Sequence, residues 1–96
     1  MAYDPGAIDA TLAAAVGEEP TLIAELRVAF VDSAERAIAS IEAAPDDACW
    51  ALAAARLKGL AASFGAIRLM ALASEAAGAP HDAEAVRKLR RAVARL

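Results

Sequence analysis

Two residues that could contact an anion, Arg56 and Lys58, lie close together in the run 51–66, Ala-Leu-Ala-Ala-Ala-Arg-Leu-Lys-Gly-Leu-Ala-Ala-Ser-Phe-Gly-Ala. If this run is helical, Lys58 lies one turn from Ala55 on the same side, and its flexible ammonium suits a phosphoryl oxygen. Arg56 is turned about 100° around the same helix. Taken alone, such cations are most often solvated charges on a helix surface.

Groups that could make or break bonds are missing around this point. Ala55 ends in a methyl group that can neither attack phosphorus nor transfer a proton. Ser63 has no candidate base nearby in the sequence, and His81 falls in a predicted connection between helices, where a histidine without function is the default. Cys49, the lone cysteine, is expected to be a small buried or half-buried apolar residue. No carboxylate pair, Cys/His cluster or glycine-rich phosphate loop has suitable spacing, so the sequence predicts no enzyme, no metal and no cofactor.

The composition predicts a single all-α domain over residues 1–96. The chain is 59% hydrophobic but only 4% aromatic, and its commonest residue, alanine, is the best helix former. No uncharged apolar run is long enough to span a membrane, the amino terminus lacks a secretion pattern, and one cysteine fits a reducing cytoplasm. The net charge of −3 argues against nucleic acid. The basic residues that crowd the last helix complement its dipole; they are Arg87, Lys88, Arg90, Arg91 and Arg95.

Capping and helix-breaking residues, together with the spacing of apolar residues, predict five helices. They pack as an antiparallel four-helix bundle with an additional short N-terminal helix. The short helix runs from Asp4-Pro5 to Gly17. A long helix runs from Glu19-Pro20 to about Ala44, and a third from Asp46 or Asp47 to about Phe64. Gly65 turns the chain into a fourth helix, Gly78-Ala79-Pro80 stops it, and Asp82 caps the fifth. The inward positions predicted for the five helices are, in order, Ile8, Leu12 and Ala15 or Val16; Ile23, Leu26, Phe30, Ala34, Ala37, Ile38 and Ile41; Trp50, Ala53, Ala54, Leu57, Leu60, Ala61 and Phe64; Leu69, Leu72, Ala73 and Ala76; Val86, Leu89, Val93 and Leu96.

The same spacing turns a smooth face of the third helix outward, made of Ala51 or Leu52, Ala55, Lys58, Gly59 and Ala62. Glycine inside a helix costs about 0.5–1 kcal/mol relative to alanine. In a chain this rich in alanine, Gly59 therefore indicates a close backbone approach, either by a neighbouring helix or by a docking partner.

These residues resemble the signature of histidine phosphotransfer (HPt) domains, the phosphate carriers of bacterial phosphorelays. That signature reads His-x-Leu-Lys-Gly, followed by a hydrophobic residue, Gly and Ala. Leu57-Lys58-Gly59 and Phe64-Gly65-Ala66 fall on it, whereas the histidine position holds Ala55. The likeness spans about residues 8–96 and includes the turn at Gly17-Glu18-Glu19-Pro20.

The resemblance implies a cytoplasmic four-helix bundle that docks the receiver domain of a response regulator or hybrid histidine kinase. Carried over, Ala55 is the acceptor-equivalent position, Lys58 is the phosphate neighbour and Gly59 permits close approach. The rest of the docking rim is Leu52, Arg56, Ala62 and Ser63. Neither nucleic acid nor membrane is an expected partner.

Ala55 leaves two origins equally open: a natural HPt-like chain without its histidine, or a His-to-Ala variant of an active phosphocarrier. In both cases the expectation is a module that binds its partner but cannot carry phosphate. The alternative is a non-catalytic helical interaction domain that forms a homodimer through the same apolar face, although a monomer is favoured.

Overall fold

The computed structural model describes residues 8, 10–12, 14 and 19–96. The helices with defined bounds are α1, Pro20–Glu42; α2, Asp47–Ser63; α3, Ile67–Ala77; and α4, Ala83–Ala94. Residues 8, 10–12 and 14 are also helical. Regular structure in the described part of the chain is helical throughout, which confirms the all-α fold class. The predicted ends of the short first helix, and its inward positions Ala15 and Val16, lie outside the described residues.

The helix starts follow the predicted capping chemistry. Pro20 occupies the beginning of α1, where its missing N–H is not needed. Asp46 caps α2 by accepting a hydrogen bond of 2.8 Å from the backbone N–H of Cys49, and Asp82 caps α4 by accepting one of 2.9 Å from the N–H of Glu84. A side-chain oxygen at this position satisfies a backbone donor that the helix itself cannot.

Two helices end slightly earlier than predicted. Helix α1 stops at Glu42 rather than near Ala44, because Pro45 restricts the residue before it to extended conformations. Helix α2 stops at Ser63 rather than Phe64, because Gly65 adopts a left-handed backbone with φ of 71°. Glycine adopts this conformation without the steric cost that a side chain would bring.

The core follows the predicted stripes with a few corrections. Every predicted position of α3 is buried, as are most of those on the other helices. Cys49 is exposed, so the expectation of a buried or half-buried residue is wrong; it lies about 100° around α2 from the buried Trp50, outside the stripe that faces the core. Several predicted core positions are only half-buried: Ile23, Leu26, Ala37, Leu60, Phe64 and Leu96.

Each helix packs on the next in sequence, and α4 returns to contact α1. The ring of Phe30 stacks on that of Phe64, with 4.6 Å between centroids, which joins α1 to the end of α2. Trp50 Nε1 donates a 2.6 Å hydrogen bond to the carbonyl of Ala76 and joins the start of α2 to the end of α3. Arg27 donates one of 3.0 Å to the carbonyl of Leu96, which joins α1 to the end of the chain. None of the described helices has the length and apolar character needed to cross a bilayer.

Candidate functional site

The outward side of α2 is a smooth strip of small and apolar residues. Leu52, Ala55, Gly59 and Ala62 are exposed, and the Leu52 side chain leaves 55% of its area in solvent. These residues recur at intervals of three and four, so they line one side of the helix. We call them the α2 strip.

Two cations border the α2 strip on opposite sides. Phe64 contacts α1 and Trp50 contacts α3, which fixes the orientation of α2. At about 100° per residue, Arg56 lies toward the α1 side and Lys58 toward the α3 side. Both are exposed, and within the described residues neither makes an ion pair or a side-chain hydrogen bond. Their charges are free to meet an external anion.

Gly59 has open space where a side chain would stand. A Cβ built on it would meet no atom within 4 Å, outside its chain neighbours and the local backbone of its own helix. Of the two explanations for this glycine, close approach by a neighbouring helix is therefore excluded among the described residues. Nothing in the described part of the fold accounts for a glycine at this point.

Ser63 lies one turn beyond Gly59 and is tied to it. Its hydroxyl donates a 3.0 Å hydrogen bond to the Gly59 carbonyl. Serine hydroxyls inside helices commonly bond to the carbonyl four residues earlier. This bond holds the small side chain of Ser63 against its own helix, next to the α2 strip.

The motif residues divide into those that the fold explains and those that it does not. Leu57 and Ala66 are fully buried, Phe64 stacks on another ring and Gly65 makes the turn. Among the described residues, Lys58 makes no ion pair or side-chain hydrogen bond, and no atom stands over Gly59. Together with Ala55, these two make up the exposed part of the motif.

His81 does not replace the missing imidazole. Its Nε2 lies 3.0 Å from a carboxylate oxygen of Asp47, and its ring lies 5.2 Å from that of Trp50. Asp47 begins α2, eight residues before Ala55, a rise of about 12 Å along the helix. The histidine therefore belongs to the end of the molecule where α2 starts, whereas position 55 lies midway along α2.

The exposed thiol of Cys49 is a poor nucleophile. A side-chain hydrogen bond with Asp46 raises its pKa, so less thiolate is present at neutral pH. The same contact region lowers the pKa of Asp46, mainly through the backbone N–H of Cys49. No group of three or more metal-ligating side chains that could hold an ion occurs in the described part of the chain.

The basic last helix is largely neutralised within the protein. Arg87 and Arg91 both pair with Glu84 and lower the pKa of its carboxyl by hydrogen bonding. Arg90 pairs with Glu42 of α1. Three cations of α4 thus form ion pairs within the protein, whereas Arg56 and Lys58 beside the α2 strip form none among the described residues.

Ile67 is an exposed apolar residue that the sequence reasoning missed. It is the first residue of α3, and 67% of its area is in solvent. The signal was present, since Ile67 falls off the stripe formed by Leu69, Leu72 and Ala73.

No protein-family model, no curated protein and no solved structure matches this chain.

Proposed function

We propose that this chain is an HPt-like module of a bacterial two-component phosphorelay that acts in the cytoplasm. It docks the receiver domain of a response regulator or hybrid kinase through the α2 strip, with Arg56, Lys58 and Ser63 at the rim. Because position 55 carries only a methyl group, the docked module neither accepts nor donates a phosphoryl group. It is an adaptor rather than an enzyme.

The arrangement of the helices supports the architecture that the resemblance implies. Four helices joined by connections of three to five residues contact one another in a closed ring. Short connections favour antiparallel neighbours, and an up-down-up-down bundle brings Phe30 to Phe64 and Trp50 to Ala76, as observed. In such a bundle position 55 lies midway along one exposed helix face.

Gly59 is the observation that carries the proposal. A helix-interior glycine lowers helix stability by about 0.5–1 kcal/mol relative to alanine, and here no atom of the described fold would touch an alanine methyl group. A docking surface gives this glycine a role, because a missing side chain lets a second protein approach the helix backbone. The small neighbours Ala55 and Ala62 extend that approach along about two turns.

The first experiment measures binding of purified receiver domains to the wild-type chain and to Gly59→Trp. An indole at this position holds the two surfaces apart, and we expect a loss of affinity of about tenfold or more, equivalent to at least 1.4 kcal/mol. Ala94→Trp is the matched control, since Ala94 is exposed on α4, which does not pack substantially on α2. Equal binding by both variants, with folding intact by circular dichroism, would rule out the α2 strip.

The second experiment reverses the charge beside position 55. Lys58→Glu is expected to weaken receiver binding, whereas Lys88→Glu, an exposed lysine on α4, leaves it unchanged. Both variants alter net charge equally, so a difference between them reports location rather than overall charge. Weakening of equal size in the two would count against a role for Lys58.

The third experiment restores the acceptor. Ala55→His is expected to take up phosphate from a phosphorylated receiver or kinase that the wild-type chain binds, with Ala55→Gln as the control that adds size without a nucleophile. Failure to label Ala55→His with any bound partner would contradict the phosphorelay assignment.

Size measurement in solution tests the alternative function. A docking module that exposes the α2 strip is expected to be monomeric. A tight dimer that Gly59→Trp dissociates would instead identify a homodimerisation domain.

A further inference from the structure

We propose that the receiver-docking surface extends from α2 onto α1, where Arg36 joins Arg56 to form a two-arginine groove that binds carboxylates of the partner. This inference rests on the proposed function, because it specifies the charge of the partner surface and adds a residue that the motif does not contain.

The orientation of α1 follows from its contacts with the last helix. Arg27 bonds to the carbonyl of Leu96 and Glu42 pairs with Arg90, so their side of α1 faces α4. Arg36 follows Arg27 by nine residues, which at 3.6 residues per turn is two and a half turns. It therefore projects from the opposite side of α1.

Around α1, Ser33 lies midway between Phe30, which contacts α2, and Arg36. Its side chain is half-buried, although it lies well away from the residues that face α4, and the neighbour of α1 on that side is α2. The guanidinium of Arg36 points toward it, with 3.5 Å between Nη2 of Arg36 and Oγ of Ser33. Arg36 thus leans toward the groove between α1 and α2.

The axial level of Arg36 follows from the stacked phenylalanines. Phe30 lies beside Phe64, so in antiparallel helices six residues along α1 correspond to six residues back along α2. This places Arg36 level with position 58, and Arg56 is displaced from it by two residues, about 3 Å of helix rise. Since Arg56 is on the α1 side of α2, the two arginines border one groove.

The acids close to Arg36 form no ion pair with it in the described part of the chain. Asp32 and Glu35 are close to Arg36 in sequence, and Asp32 has the i, i+4 spacing that favours an ion pair, but Arg36 pairs with neither among the described residues. Beyond Asp47 at its start, α2 contains no acidic residue. Two arginines that border one groove without ion-pair partners among the described residues can each offer bidentate hydrogen bonds to an external carboxylate.

The experiment compares Arg36→Glu and Arg56→Glu with Arg68→Glu by titrating a receiver domain that binds the wild-type chain, at low and at physiological salt. Arg68 is the matched control: it is exposed, it has no ion pair in the described structure, and it lies in the first turn of α3, where glutamate suits the helix dipole. We expect each groove variant to lose about five- to tenfold in affinity at low salt, mainly through slower association, and less at high salt.

Variants that neutralise the two arginines or Asp32 separate the effect of charge from other effects of the substitutions. Arg36→Gln and Arg56→Gln should each lose less than the corresponding charge reversal, and Asp32→Asn should raise affinity slightly by removing a nearby negative charge. If the receiver binds and the groove variants behave like Arg68→Glu, the inference is overturned while the proposed function stands. If no receiver binds the wild-type chain, the proposed function fails and the inference fails with it.

Discussion

Replacing Gly59 with alanine is expected to make the protein more stable and its partner complex weaker. The methyl group would enter open space, so no steric cost opposes the gain in helix propensity. That gain is about 0.5–1 kcal/mol at an interior helix position. For a domain of this size it corresponds to a rise in Tm of roughly 2–8 °C.

Urea unfolding followed by the fluorescence of Trp50, which is the sole tryptophan and is buried, measures this change directly. With a slope of about 1–1.5 kcal/mol/M for a small domain, the midpoint should rise by roughly 0.3–1 M. Ala55→Gly, also exposed on α2, is the matched control and should lower stability by a similar amount. The double variant Ala55→Gly/Gly59→Ala should unfold close to the wild type.

Two results would refute the reasoning at different steps. A Gly59→Ala variant that is no more stable than the wild type would show that the space over this glycine is not open. A variant that is more stable and binds its receiver as tightly as the wild type would show that no partner approaches the backbone there. The expected combination, higher stability with weaker binding, separates the demands of the fold from those of docking.

Three further variants test the contacts that position α2. Gly65→Ala should destabilise the fold by about 1–2 kcal/mol, because a side chain strains the left-handed backbone; thermal unfolding by circular dichroism measures it. Trp50→Phe should cost about 1–3 kcal/mol in urea unfolding followed by circular dichroism, because the hydrogen bond to Ala76 and part of the buried ring are lost. The pKa of Asp46 is lowered chiefly by the backbone N–H of Cys49, so its cap stabilises the fold above the ordinary aspartate pKa and loses effect as pH falls through the lowered value. Asp46→Asn should therefore show less decline in Tm than the wild type between about pH 5 and pH 2; an equal decline would contradict this.

The fold was predictable where local chemistry alone decides it. The cap Asp82 and the stop before Pro80 act within a few residues of themselves, so the sequence is sufficient to place them. For α2 it narrows the cap to Asp46 or Asp47, and the structure shows that it is Asp46. The incorrect predictions concern burial, which depends on how other segments pack around a residue. Cysteine is a residue type typical of protein cores, yet Cys49 lies about 100° around α2 from the buried Trp50 and is exposed.

The sequence was sufficient to predict which residues of α2 are exposed, but not how other helices pack around them. Helical spacing correctly indicates that Ala55 and Gly59 are exposed, because it requires only the helix repeat. It cannot indicate whether another helix passes over Gly59, since that depends on how helices far apart in sequence pack. For the same reason Arg36 could not be joined to Arg56 before the stacking of Phe30 on Phe64 was known.

Under the proposed function, alanine at position 55 is expected to leave docking intact. An imidazole at position 55 would supply the nucleophile, but the shape of the α2 strip comes from the missing side chain at Gly59 and from the exposed side chains of Leu52 and Ala62. None of these depends on a histidine, because position 55 is exposed and supports no part of the core. If the proposed function holds, a chain with Ala55 that docks a receiver is expected to compete for it with a module that carries phosphate.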